Sequence, residues 1–270
     1  MKIIARPLNS KATIACLLLL LVWLIPMSLS AQVRGIDVSK YQGNINWTKV
    51  AKTKRVSYVY IKATEGTTIQ DAYYKNNVKN ARAAGLPVGS YHLYSSKTTA
   101  YQQFANFKSV VKKSDQDLIP VLDIEERNNK NLNMECVDKL MELMEKEYGA
   151  KPIIYTSERV YLDRFSGKKY KDYKFFIANY KRYPKARLVI WQYTQTGKIS
   201  GISGYVDFSE LASGKTVDDL RLKKKKTPKS SKMVDKETVK DKDSRASTES
   251  TKDKAEAIAR RMDEEKDFDW

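Results

Sequence analysis

The chain has 270 residues, 41% of them apolar, and a formal net charge of +18. That length suits one sizeable domain with tails, and that much positive charge argues for an anionic partner: nucleic acid, a membrane surface or an acidic polymer. With a single histidine, His92, and two cysteines, metal clusters, internal disulfides in an exported chain and a Ser-His-Asp triad are nearly excluded, so any chemistry should rest on carboxylates.

Residues 1–31 are expected to be a signal peptide or an N-terminal membrane anchor. Lys2, Arg6 and Lys11 precede an unbroken apolar run from Ile14 to Pro26, and small residues follow at Ser28, Ser30 and Ala31. A basic start, a short apolar stretch and small residues are the parts of a secretory signal, with cleavage expected after Ser30 or Ala31. The run is shorter than the ~20 residues a comfortable membrane span needs. Either reading exports the rest of the chain, allows membrane contact through the apolar segment and argues against nucleic acid as a partner. Cys16 falls in this run, which leaves Cys136 alone in the mature chain.

From residue 32 to 214 the sequence alternates two patterns. Short apolar runs predict strands over 35–38, 58–63, 88–94, 119–124, 153–156, 175–179 and 189–193. Several lack in-out alternation, as strands buried on both faces do. Helical spacing is predicted over 72–84, stopped by Gly85, over 100–111, and over 132–148, stopped by Gly149. Strand-helix alternation predicts a parallel sheet, and the pattern alone does not choose between a barrel and an open sheet. From 215 to 270 a Lys-rich, aromatic-poor segment is expected to be a disordered tail, too polar to bury enough surface to offset its ordering entropy.

The segment Ile119-Pro-Val-Leu-Asp-Ile-Glu125-Glu126 carries the strongest local signal. A hydrophobic strand runs out into acids. Asp123 and Glu125 are two apart, so on a strand both face the same way, with backbones about 6.5 Å apart. In a parallel α/β fold the active site lies at the C-terminal strand ends. A carboxylate pair there suits glycosidic cleavage, in which one acid protonates the leaving oxygen and a second group stabilises or attacks the sugar. Acids that merely cap or solvate a strand end would look similar. Three more acids occupy comparable places: Asp37, which could instead cap the turn toward Tyr41, Glu65 after the second strand, and Asp207 in Tyr205-Val-Asp207-Phe. Tyr41, Tyr60, Tyr91, Tyr94, Tyr155, Tyr180, Tyr193 and Trp191 accompany them. An aromatic ring with an apolar face and a polar handle fits a sugar, though core packing is the better explanation of any single tyrosine. His92 is expected as a hydrogen-bonding residue at a pocket floor rather than as a base.

Across residues 34–211 the chain resembles the glycoside hydrolase family 25 lysozymes, the Chalaropsis-type N-acetylmuramidases. The matching pieces are Gly35-Ile-Asp-Val-Ser39, Tyr41-Gln-Gly43, Ile45-Asn-Trp47, Tyr60-Ile-Lys-Ala-Thr-Glu-Gly66, Gly89-Ser-Tyr-His-Leu-Tyr94, Pro120-Val-Leu-Asp-Ile-Glu125, Pro152-Ile-Ile-Tyr-Thr156, Ile190-Trp-Gln-Tyr193 and Val206-Asp207. Each is weak alone; their order is specific. The segment Phe175-Phe-Ile-Ala-Asn179-Tyr180 has Phe where the family often has Trp before the Ala-x-Tyr, and Val206-Asp-Phe-Ser replaces a commoner Val-Asp-Leu-Asn; neither change removes an acid. The resemblance implies a single-domain α/β fold, an irregular TIM-like barrel of about eight strands and five helices. It also implies a peptidoglycan hydrolase that cuts the β-1,4 bond between N-acetylmuramic acid and N-acetylglucosamine. By position, Glu125 matches the general acid, Asp123 its partner carboxylate, and Asp37 and Asp207 the remaining pocket acids. Tyr41, Tyr60, Glu65, Tyr91, Tyr94, Tyr155, Tyr180, Trp191 and Gln192 would contact the substrate. No metal or organic cofactor is implied, the expected partner is the glycan strand of the wall, and a monomer is expected. A non-catalytic wall-binding protein on the same fold is the alternative, though a pure binder has no need of a proton donor.

Overall fold

A computed structural model describes residues 32–125 and 132–223. The expected export segment, Glu126 and the chain from 224 onward lie outside the described residues. The strands are β1 (Arg34–Val38), β2 (Tyr58–Glu65), β3 (Ile69–Gln70), β4 (Val88–Leu93), β5 (Val121–Asp123), β6 (Ile153–Ser157), β7 (Phe175–Ala178), β8 (Ile190–Gly197) and β9 (Val206–Leu211). The helices are α1 (Trp47–Lys52), α2 (Tyr74–Ala83), α3 (Ala100–Val110), α4 (Met134–Tyr148) and the single-turn α5 (Glu158–Val160).

The strands follow the order β1-β9-β8-β7-β6-β5-β4-β2-β3, and β1 also pairs with β2. That last pairing closes eight strands into a barrel, with the two-residue β3 hung antiparallel on β2. The expected TIM-like barrel with five helices is therefore observed, with one departure from a parallel sheet. β9 runs antiparallel to both β1 and β8. The turn that reverses it, residues 198–205, contains Gly201 and Gly204, both in the left-handed region with φ of 103° and 88°.

Helix ends follow local chemistry. Thr99 caps α3 through its hydroxyl, and Gln102 returns a bond to the Thr99 N–H, a capping box. Inside α3, Ala100, Gln103, Phe107 and Val110 are buried at helical spacing. Asn133 caps α4, whose buried stripe is Val137, Leu140, Met141, Met144 and Tyr148. The chain leaves α4 at Gly149, where φ is 77°, a left-handed stop. The Tyr148 hydroxyl donates to the Val111 carbonyl at 2.9 Å and locks α4 to the end of α3.

The barrel interior is filled by rings. Tyr58 and Tyr60 sit 6.2 Å apart by centroid, Tyr60 and Phe176 6.1 Å, and Tyr155 and Phe176 5.1 Å. Two glycines make room: a Cβ on Gly35 would lie 2.1 Å from the Tyr58 ring, and one on Gly89 2.3 Å from the Tyr60 ring. Tyr58 is itself held by a 3.0 Å bond between its hydroxyl and that of Ser209, so it cannot swing aside without losing a buried partner. Gly35→Ala is expected to destabilise the fold by about 3 kcal/mol through overpacking, read as a lower urea midpoint with an unchanged slope.

The expected start of the tail at residue 215 is too early. Residues Val217–Leu220 form a 3₁₀ turn, Leu118 bridges Arg221, and the Ile119 N–H donates to the Leu220 carbonyl at 2.8 Å. Leu220 and Leu222 are buried. Two leucines among lysines and aspartates supply the apolar area that composition averaged over the whole segment conceals.

Candidate active site

Closing the barrel brings the acids together. Asp37 lies near the C-terminal end of β1, and Asp207 near the N-terminal end of β9. Because β9 is antiparallel, its beginning lies at the same end of the barrel as the C-termini of its neighbours, and Asp37 and Asp207 are direct cross-strand partners. Asp123 is the last residue of β5, in register with Leu93 of β4 and Tyr155 of β6. Beyond it the Ile124 N–H donates to the Tyr155 carbonyl at 2.9 Å, and Thr156 Oγ1 donates to the Ile124 carbonyl at 2.8 Å. These bonds keep the chain extended, so Glu125 returns to the face that Asp123 uses. Asp37, Asp123, Glu125 and Asp207 line one cleft, with Tyr91 beside them.

Asp37 is the most constrained of the four. Gln192 Nε2 donates to both its oxygens, at 3.1 and 3.0 Å. Gln192 is fixed in turn, its Oε1 accepting from the Tyr155 hydroxyl at 2.8 Å and from the Tyr180 hydroxyl at 2.7 Å. Burial, and then the facing charge of Asp207, push the Asp37 carboxyl well above its ordinary range, with the Gln192 amide pulling back. Burial raises Asp207 as well, and the two carboxyls are joined by a hydrogen bond. Two acids crowded this way hold a proton between them that neither would keep alone. Burial, with neighbouring carboxylates, also drives Tyr91 and Tyr155 well above the usual phenol range, so both hydroxyls stay protonated.

The expected sugar contacts divide. Tyr41 stands on the cleft rim, 80% exposed, with Lys40 Nζ 5.7 Å from its ring. Tyr91 and Tyr155 line the cleft wall, and Tyr180, 47% exposed, reaches in to Gln192. Tyr60 forms the floor, its hydroxyl donating to the Ile119 carbonyl at 3.3 Å. Three others do not line the cleft. Glu65 pairs with Lys62 at 2.7 Å. Tyr94 is buried against α4, its hydroxyl 3.4 Å from the Asn133 carbonyl. Trp191 points outward, since Gln192 beside it points inward; it packs on Tyr183 and Tyr193 and donates to the Asn179 carbonyl at 2.8 Å.

Two further expectations are corrected. His92 is not at the pocket floor. It follows inward Tyr91 and so faces α3, bonded to Thr64 Oγ1 at 2.7 Å and Gln103 Oε1 at 3.2 Å. Burial holds it neutral, with its pKa lowered to about 4. Nor does Asp37 cap the turn toward Tyr41; Ser39 does, accepting from the Tyr41 N–H at 3.3 Å. Lys62 escaped the sequence reading. It lies two residues after inward Tyr60, and it lines the cleft among the acids. A wider cavity at the strands' N-terminal end, lined by Lys151, Lys174, Asp172 and Asp219 among others, holds none of the expected acids.

A carboxylate-lined cleft at the C-terminal end of a closed α/β barrel defines a glycosidase-type site. The sequence pattern of the Glycosyl hydrolases family 25 matches residues 36–202, and the chain belongs to that family. It is 35% identical over 202 residues to the uncharacterized protein YegX of Escherichia coli K12, covering 71% of this chain and 73% of that one. It is 31% identical over 198 residues to lysozyme M1 of Streptomyces globisporus, covering 65% and 66%. Among solved structures it is similar to a family 25 glycosyl hydrolase from Bacillus anthracis, with a TM-score of 0.62, 30% identity and coverage of 70% and 92%.

Proposed function

We propose that the protein is an exported muramidase that hydrolyses the β-1,4 bond between N-acetylmuramic acid and N-acetylglucosamine in peptidoglycan. The observation that carries this reading is the convergence of Asp37, Asp123, Glu125 and Asp207 on one cleft. The similarity to a lysozyme over most of the barrel supports the choice of substrate. The chain's +18 charge suits an anionic wall.

In this reading Glu125, at the open end of the acid cluster, donates the proton to the leaving oxygen. Asp123, only 7% exposed at the strand end, orients the substrate's own N-acetyl group for attack on the anomeric carbon. Substrate-assisted attack of this kind is a known exception to two-carboxylate catalysis. Asp37 and Asp207 share a proton on the far wall, and the remaining Asp207 oxygen can accept a hydrogen bond from a sugar hydroxyl. Water then opens the cyclic intermediate with Glu125 acting as base. The product keeps the β-configuration. ¹H NMR of the anomeric region during the first minutes of digestion of a defined glycan reads this. A β-anomer appearing first is expected, and an α-anomer first would exclude the assisted route.

A further inference from the structure

We infer that Glu158 is a positioning residue for this cleft: it clamps the chain between β7 and β8 so that Tyr180 reaches Gln192, and Gln192 thereby holds Asp37. The inference rests on the role proposed above for the Asp37 wall. Glu158 does not line the cleft and touches none of its acids. It follows Ser157, the cap of α5, and only 9% of its side chain is exposed. A buried carboxylate is costly unless its oxygens are filled. Here Oε2 accepts from Asn179 Nδ2, and Oε1 accepts from Arg182 Nη1 at 3.0 Å and from the Lys185 N–H. All three donors belong to the connection between β7 and β8.

Asn179 extends the clamp. Its Oδ1 accepts from the Lys181 and Arg182 N–H groups at 2.9 and 3.3 Å, so its amide is fixed at both ends, toward Glu158 and toward the turn. Tyr180 sits inside that turn. Its ring is half exposed, and an exposed loop tyrosine is ordinarily free to change rotamer. Its hydroxyl nevertheless lies 2.7 Å from Gln192 Oε1. Together with the Tyr155 hydroxyl it occupies the acceptor end of the Gln192 amide, which leaves the donor end for Asp37. Hydrogen bonds in such a chain polarise one another, so releasing Tyr180 weakens the Gln192–Asp37 bond even while Tyr155 stays. Asp37 is faced by the carboxyls of Asp207 and Asp123 and by the phenols of Tyr58, Tyr91, Tyr155 and Tyr180. Of these, the Glu158 clamp bears on Tyr180 alone.

The test is a ¹³C-carboxyl NMR titration of Asp37 in the full chain, for wild type, Glu158→Gln, Tyr180→Phe and the double variant. Glutamine at 158 offers one acceptor oxygen and an amide that opposes the donors of the loop. Both single variants are expected to move the Asp37 midpoint upward, because the Gln192 bond pulls it down. The double variant is expected to move it no further than Tyr180→Phe does. Turnover on peptidoglycan should fall about tenfold or more in Glu158→Gln, as misplaced site groups do, with KM changed far less. An unmoved midpoint in a folded Glu158→Gln chain, or additive shifts in the double variant, would overturn the inference. If Glu158→Gln fails to fold, Arg182→Gln removes one clamp bond from a half-exposed position and carries the same expectation. The titration needs no turnover, so an inactive wild type would count against the proposed function and leave this test intact.

Discussion

Glu125→Gln is expected to abolish release of reducing ends from peptidoglycan, with turnover falling by about 10³-fold or more, while the fold and the wall affinity persist. A positioned general acid contributes ~10²–10⁴ in rate, and glutamine keeps the shape of glutamate without the transferable proton. The side chain is only partly buried, and the chain that carries it is held by backbone bonds at Ile124 and by Thr156. The substitution should therefore leave the thermal midpoint nearly unchanged. Initial rates on purified wall, with a pull-down of the variant on the same material, check both halves. Retained activity within tenfold of wild type would move the acid role to another residue.

Asp37→Asn is expected to cut turnover by about 10²-fold or more and, at neutral pH, to stabilise the protein. Function and stability move oppositely because the site is held in an arrangement that folding alone would not choose. The Asp37 pKa is raised well above its ordinary value in the folded chain. A raised carboxyl binds more protons folded than unfolded, so its contribution to stability is present below the unfolded pKa and is lost as pH rises through the folded one. Asparagine mimics the protonated form and escapes that loss. It can accept from Gln192 through Oδ1 and donate to Asp207 through Nδ2, giving up the second of the two Gln192 contacts. Stabilities of wild type and variant should converge in acid, below the ordinary aspartate range, and separate as pH rises, with the variant higher. Urea unfolding across pH measures this. A variant less stable than wild type at neutral pH would show that the carboxyl pair is not strained.

Much of this site is legible in the sequence, and the unread parts have physical causes. The strand-end acids could be found because alternation on a strand is a two-residue rule, so Asp123 and Glu125 share a face whatever surrounds them. The same rule sorts the errors. Trp191 and Tyr94 sit beside inward residues and therefore face out, and His92 is separated from the cleft by that one-residue step. Applied to each strand in turn, alternation from Tyr60 would also have placed Lys62 inside. The direction of β9 could not be read this way. A strand with an acid at its start looks like an unremarkable segment until the barrel closes and reverses it, and only then does Asp207 meet Asp37. Contacts across great sequence distance, such as Gln192 with Asp37, are likewise set by closure and leave no local pattern. Leu220 and Leu222 show the converse case, a short apolar anchor hidden by the polar composition around it.

The most direct test of the account is the identity of the new chain end. Purified peptidoglycan digested by residues 32–270, then reduced with borohydride, should yield muramitol at the released termini, and Glu125→Gln should yield none. Glucosaminitol in its place would mean that the opposite glycosidic bond is cut. Binding without any new reducing end, across pH and wall types, would contradict hydrolysis by this cleft and return the protein to a wall-binding role.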